Sequence, residues 1–186
     1  LTATGSRPVT SYFRSHFQVA DANAIKGVTV RYVADDGAVV YINGHEVDRT
    51  RMGSGTVSYQ TRADYAPSYG TAVDSMSEVF VPAALLRSGD NVIAVETHVN
   101  YMRTATVGMQ ASIFRVEGTP ENNDTHEPSL PTTPQNLGDA TQPIDVRGMT
   151  SGEVIPSGTT QWNYWTSTSA PASDWATTGS LADWSR

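Results

Sequence analysis

Apolar side chains along this chain tend to recur at every second position with polar ones between them, the two-residue period of a half-buried β-strand. In 10–19, Phe13, Phe17 and Val19 fall on one side, and Tyr12, Arg14, His16 and Gln18 on the other. The clearest stretch is 28–47, VTVRYVADDGAVVYINGHEV, in which Val28, Val30 and Tyr32 precede Asp35-Asp36-Gly37 and Ala38, Val40 and Ile42 follow it. Asp and Gly suit a turn, so this reads as a hairpin turned on Asp35-Asp36-Gly37, with a third short strand started by Asn43-Gly44. Further strands are expected at 56–61, 78–81, 92–99 and 104–116. In 92–99, Ile93, Val95, Thr97 and Val99 read as core, and Val92, Ala94, Glu96 and His98 as an open face. In 104–116, Val107, Met109, Ala111 and Ile113 point inward. A Gly-rich loop at 48–55, a long loop at 62–77 with Tyr65, Pro67 and Tyr69, and one Pro-started helical turn at 82–86 connect them.

Composition supports an all-β reading. The chain has 15 Gly and 10 Pro and only 17% charged residues, too few Glu and Lys to clothe exposed helices. A net charge of −7 with 12 scattered Lys and Arg repels phosphate backbones and anionic lipid, which argues against nucleic acid. The absence of Cys removes disulfides, thiol nucleophiles and cysteine-ligated zinc. An acidic chain rich in Ser, Thr and Gly, with Lys26 its one Lys, suggests an extracellular or cell-surface place. No apolar run is long enough to span a membrane, and no signal peptide opens the sequence, so a leader has been removed or the chain is a fragment.

Three parts are expected. Residues 1–118 form a β-sandwich body. Residues 119–150, with five prolines between 120 and 143 and few large apolar groups, form a linker that does not fold alone. Residues 151–186 hold all four tryptophans, Trp162, Trp165, Trp175 and Trp184, together with Tyr164. Each ring buries roughly 150–250 Å² when covered, and the segment is too short for its own core, so it must dock on something.

Candidate chemistry is sparse. Asp35 and Asp36 supply two carboxylates to a hard cation such as Ca²⁺, against the plainer reading that they serve a turn. Asn122, Asn123, Asp124 and Glu127 cluster oxygens in the linker without EF-hand spacing. By alternation Arg14, His16, Arg31, Glu96 and His98 fall on outward faces, where His and Glu can exchange protons; a structural surface network is the simpler account. His45 reads as exposed. No nucleophile-elbow, zinc-protease or phosphate-loop spacing occurs, and no enzymatic role or cofactor is expected. A sugar site needs exposed aromatic faces and planar polar groups. Tyr65, Tyr69 and Tyr101 lie in loops with Arg62, Asp64, Asn100 and Arg103 around them.

The runs SYFRSHFQV, VRYVADDGAVVYINGHEVDRTRMGSGTVSYQT and FVPAALLRSGDNVIAVETH, in that order, resemble a jelly-roll β-sandwich of the galactose-binding-like type over 11–116. Such domains recur as accessory units of large secreted bacterial proteins, and the resemblance implies a sandwich that often binds carbohydrate. In the related PA14-type domain a similar Asp-Asp-Gly binds calcium. The segment VIPSGTTQWNYW with APASDWATTGSLADW resembles the opening of the same kind of domain, here placed after the body instead of before it. The Gly-rich stretch that joins these parts in relatives is missing. The C-terminal segment therefore completes a sandwich in cis, or in trans on a neighbouring copy or domain, with Trp162, Tyr164, Trp165, Trp175 and Trp184 as the interface. The first expectation for function is a structural block of an extracellular fibre or tandem array assembled by strand exchange. The second is a carbohydrate-binding accessory module with polysaccharide as partner.

Overall fold

A computed structural model describes residues 8–67, 76–101, 108–118, 153–155, 162–165, 169–177 and 184–185. Tyr69, Arg103, Val107 and the whole of the expected linker lie outside them. Among the described residues nine strands follow in order: β1 (Thr10–Val19), β2 (Ile25–Asp35), β3 (Gly37–Ile42), β4 (His45–Thr50), β5 (Ser77–Pro82), β6 (Gly89–His98), β7 (Gly108–Glu117), β8 (Glu153–Ile155) and β9 (Asn163–Trp165). Two 3₁₀ turns, Ala22–Ala24 and Ala83–Leu85, are the helical structure among the described residues. The strands form two antiparallel sheets, β4-β3-β6-β1-β9 (sheet A) and β5-β2-β7-β8 (sheet B), packed as a β-sandwich.

The two-residue period fills the space between the sheets. Val28, Val30, Tyr32 and Ala34 of β2 and Ile113 of β7 meet Phe17, Val19, Val40, Ile42, Ile93 and Val95 of sheet A in one core. Each Val, Ile or Phe among them is worth roughly 1.5–3 kcal/mol once removed from water.

Three expectations are corrected. Asp35-Asp36-Gly37 is not a hairpin turn, because β2 and β3 lie in different sheets and the chain crosses the sandwich there. A turn between two alternating strands fits either connection. The hairpin is at Asn43-Gly44, joining β3 to β4 with Ile42 opposite His45. Both residues there have positive φ, 51° and 85°, the left-handed backbone of a two-residue hairpin loop. Residues 56–61 form loop, not strand. Of the stretch expected as strand at 104–116, the described part, from Gly108 on, is strand. Finally, the open face expected of β6 is closed: Val92 and Ala94 pack against Ala176 and Trp175, and Glu96 and His98 are buried.

The C-terminal strands sit on the chain's own sandwich. β8 pairs with β7 and β9 with β1, extending both sheets, and Ser185 bridges back to Tyr164. Trp162 packs on the main core. Trp175 stands edge-on to Tyr12 (4.8 Å) and Tyr41 (5.5 Å) and stacks on Trp184 (6.5 Å), which lies 6.1 Å from Trp165. Arg14 is nearly wholly buried beneath them, donating to the Trp175 carbonyl (3.2 Å) and facing the Trp184 ring (5.8 Å). Burial lowers its pKa, and the nearby carboxylates of Asp174 and Asp90 oppose that.

Candidate functional site

One end of the sandwich gathers the β2–β3 crossing, the loop after β4 and the loop after β6. Asp36 is fully buried at this end, and its Oδ2 accepts the Asn100 N–H at 2.7 Å. The carboxylate thereby ties the β6–β7 loop to the crossing. Arg51, at the start of the next loop, holds a left-handed φ of 54°. Its guanidinium donates to the carbonyls of Asp36 (2.5 Å) and Ala34. Its own carbonyl accepts the Asp64 N–H at 2.9 Å, while the Ala63 N–H donates to Val99 O at 3.2 Å.

A second anchor lies alongside. His98 is fully buried, and its Nδ1 is 2.8 Å from the Thr61 carbonyl. A carbonyl only accepts, so Nδ1 carries the proton. The Thr10 hydroxyl, 3.0 Å from that nitrogen, donates onward to the Tyr59 carbonyl at 2.8 Å. Gly37 lies beneath this loop, where an added Cβ would come within 2.8 Å of both Met52 Sδ and Ala63 Cβ. The loop is thus fastened at Thr61, Ala63 and Asp64.

Two exposed tyrosines stand on this fastened base. Tyr65 is 61% exposed and Tyr101 58%. Each lies two residues beyond the Ala63–Val99 hydrogen bond, so each backbone is within roughly 7 Å of it. Arg62 and Asp64 are exposed beside them and Asn100 is half-buried. Tyr69 and Arg103, the other two residues expected here, lie outside the described residues. The sequence missed Arg51, whose guanidinium props the crossing, and Tyr59, 38% exposed on the same loop. No spacing marked Arg51, because its partners are backbone carbonyls.

Asp35 is half-buried and Asp36 is occupied as described. Among the described residues no group of three or more His, Cys, Asp or Glu side chains is placed to hold a metal ion.

The five polar residues expected on outward faces do not converge. Arg31 lies on sheet B, ion-paired with Glu78. His16 pairs with Asp90 at 2.8 Å on the rim of sheet A. Glu96 and His98 do meet, Oε2 to Nε2 at 3.4 Å, with the other Glu96 oxygen accepting the Tyr41 hydroxyl at 2.6 Å. Both are buried, closed off from any substrate in solution. Burial and then the Glu96 hydrogen bond raise the pKa of Tyr41; burial does the same to Tyr12.

No protein-family model matches the sequence, and no curated protein matches it. Solved structures do. The chain aligns over 96% of its length with part of a Streptomyces avermitilis α-L-rhamnosidase complexed with L-rhamnose, at 16% identity and a TM-score of 0.57, covering 12% of that chain. It aligns over 96% of its length with part of a lectin from Pleurotus ostreatus in complex with GalNAc, at 14% identity and a TM-score of 0.52, covering 36% of that chain. At these identities the likeness is one of fold, a β-sandwich. It extends past residues 1–118 into the C-terminal strands.

Proposed function

We propose that this chain is a non-catalytic carbohydrate-binding module, an accessory unit of a larger secreted protein, that holds a saccharide at the tyrosine-bearing end of the sandwich. The carrying observation is the pair Tyr65 and Tyr101, more than half exposed on loops whose backbones are fastened to buried Asp36, His98 and Val99. Rings exposed on a rigid base lose little conformational entropy when a sugar stacks on them. Arg62, Asp64 and Asn100 supply planar hydrogen-bonding groups to its hydroxyls. The two fold neighbours that carry L-rhamnose and GalNAc lend the reading support by analogy of fold.

The fibre reading is not taken further. Its motive was a C-terminal segment needing a sandwich to complete, and β8 and β9 are paired within the chain itself. The test of the sugar reading is a glycan array probed with the chain, followed by calorimetry on the retained saccharide with Tyr65→Ala and Tyr101→Ala. Each substitution is expected to weaken binding about two- to twelvefold, the loss of one ring contact worth roughly 0.5–1.5 kcal/mol. Retention on no glycan would remove the reading.

A further inference from the structure

We propose that the outer face of sheet B is a second carbohydrate contact, separate from the tyrosine end: a platform for an extended neutral polysaccharide centred on Phe80. The two outer faces of the sandwich differ. That of sheet A is roofed by Trp175, Ala176 and Trp184, whereas that of sheet B leaves Phe80 44% exposed.

The residues of this face fall into two rows by register. Thr29 of β2 lies opposite Phe80 of β5 and opposite Phe114 of β7, so Phe80, Thr29 and Phe114 make one row across three strands. The two aromatic positions are two strand spacings apart, roughly 10 Å. The neighbouring row is Glu78, Arg31 and Ser112, again set by register. Thr29 and Ser112 are buried, so the groups that meet solvent are Phe80, Phe114, Glu78 and Arg31. Arg31 ion-pairs with Glu78, and its guanidinium lies 5.0 Å from the centre of the Phe114 ring.

Gly27 sets the height of the Phe80 ring. A Cβ at Gly27 would come within 2.9 Å of Phe80 Cζ and 3.0 Å of Cε2, so that ring edge lies down over the glycine instead of standing off the sheet. The result is a low aromatic row beside a row of hydrogen-bonding groups. A pyranose has the same two-part surface: a patch of C–H groups on the ring face and hydroxyls around its edge. Sugar faces along an extended chain would cover Phe80 and Phe114, and their edge hydroxyls would reach Glu78 and Arg31.

A protein partner fits this face less well. It would take the Arg31–Glu78 pair out of water, a penalty of several kcal/mol per ion, and protein interface cores are depleted in such charges. A second copy brings another net charge of −7 to the first. Polysaccharide hydroxyls leave the ion pair hydrogen-bonded, and a neutral polymer meets no charge repulsion.

The test is affinity electrophoresis of the full chain in gels containing a neutral soluble β-glucan, hydroxyethyl cellulose or xyloglucan, with light scattering for mass. Retardation by at least one polymer is expected, weakened about two- to twelvefold by Phe80→Ala, which removes one ring contact, and restored by Phe80→Trp. Unchanged circular dichroism and urea midpoint in Phe80→Ala show that the loss is not one of folding; if that variant is destabilised, the failure of Phe80→Trp to restore retardation overturns the proposal. No retardation of the wild type, equal retardation of Phe80→Ala, or a doubled mass that Phe80→Ala returns to monomer would each overturn it as well. The platform and the tyrosine end fail separately. Polymer retention that follows Tyr65→Ala but not Phe80→Ala overturns the platform alone, and retention that follows Phe80→Ala supports it whatever the tyrosine variants do with short saccharides.

Discussion

Replacing Trp175 with alanine tests how the C-terminal segment is held. Its ring has three aromatic partners, Tyr12, Tyr41 and Trp184, and packs on Val92 and Ala94 of β6. Each aromatic pair is worth roughly 0.5–1.5 kcal/mol beyond buried area. A fully buried Trp→Ala change costs about 3–5 kcal/mol; Trp175 is half-buried, so we expect about 2–4 kcal/mol. The backbone carbonyl that accepts from Arg14 remains, so the loss belongs to the ring. Urea unfolding followed by far-ultraviolet circular dichroism should show the midpoint falling by about 1 M or more, at a slope of roughly 1–3 kcal/mol/M. Trp175→Phe should retain a good part of the edge contacts and lose less. A loss below about 0.5 kcal/mol, the range of an ordinary surface change, would refute the seating of residues 169–177 on sheet A.

Three further outcomes follow from particular contacts. Gly27→Ala should destabilise by about 2–3 kcal/mol in the same urea assay, because the new methyl would sit 2.1 Å from the Val81 carbonyl oxygen, a backbone atom that cannot rotate away; a neutral effect would contradict the β2–β5 register. Burial raises the phenol pKa of Tyr12, Tyr32 and Tyr41, with Glu96 adding to the shift in Tyr12 and Tyr41 and Asp48 in Tyr32. The folded state therefore keeps protons that the unfolded state releases above about pH 10. Stability contributed by these three is full below that pH and is lost as pH rises through it, and an ultraviolet phenolate titration should show them ionising only on unfolding; Tyr41→Phe should lessen the alkaline slope, and an unchanged slope would count against the Tyr41–Glu96 contact. Calcium chelation should leave the urea midpoint in place, since the Asp36 carboxylate already holds the Asn100 N–H; a bound ion at a hundred times its dissociation constant would add about 2.7 kcal/mol, and loss of that much would contradict this account.

Much of the body was legible because its strands alternate. β1 and β3 lie within the stretches that the period marked, β2 starts three residues before its stretch, and Asn43-Gly44 makes the hairpin that its residue types predict. What alternation does not carry is sheet membership: Asp35-Asp36-Gly37 looks the same in sequence whether the chain turns back or crosses over. The run Val92-Ile93-Ala94-Val95 held a cue that alternation obscured, since consecutive apolar residues mark a strand covered on both faces. Its cover, Trp175 and Ala176, lies some eighty residues later in the sequence. At the candidate site Tyr65 and Tyr101 could be picked out as loop aromatics, while their common base could not. Arg51, Thr61 and Ala63 act there through backbone groups, and backbone hydrogen bonds leave no mark in residue type.

The central claim is that the tyrosine end binds a sugar, and calorimetry on the double variant Tyr65→Ala/Tyr101→Ala tests it most directly, using the saccharide that a glycan array selects. The account predicts saturable binding by the wild-type chain, its loss by about tenfold or more in the double variant, and an unaltered unfolding midpoint, because both rings are mostly exposed. Equal affinity in the two proteins would contradict it.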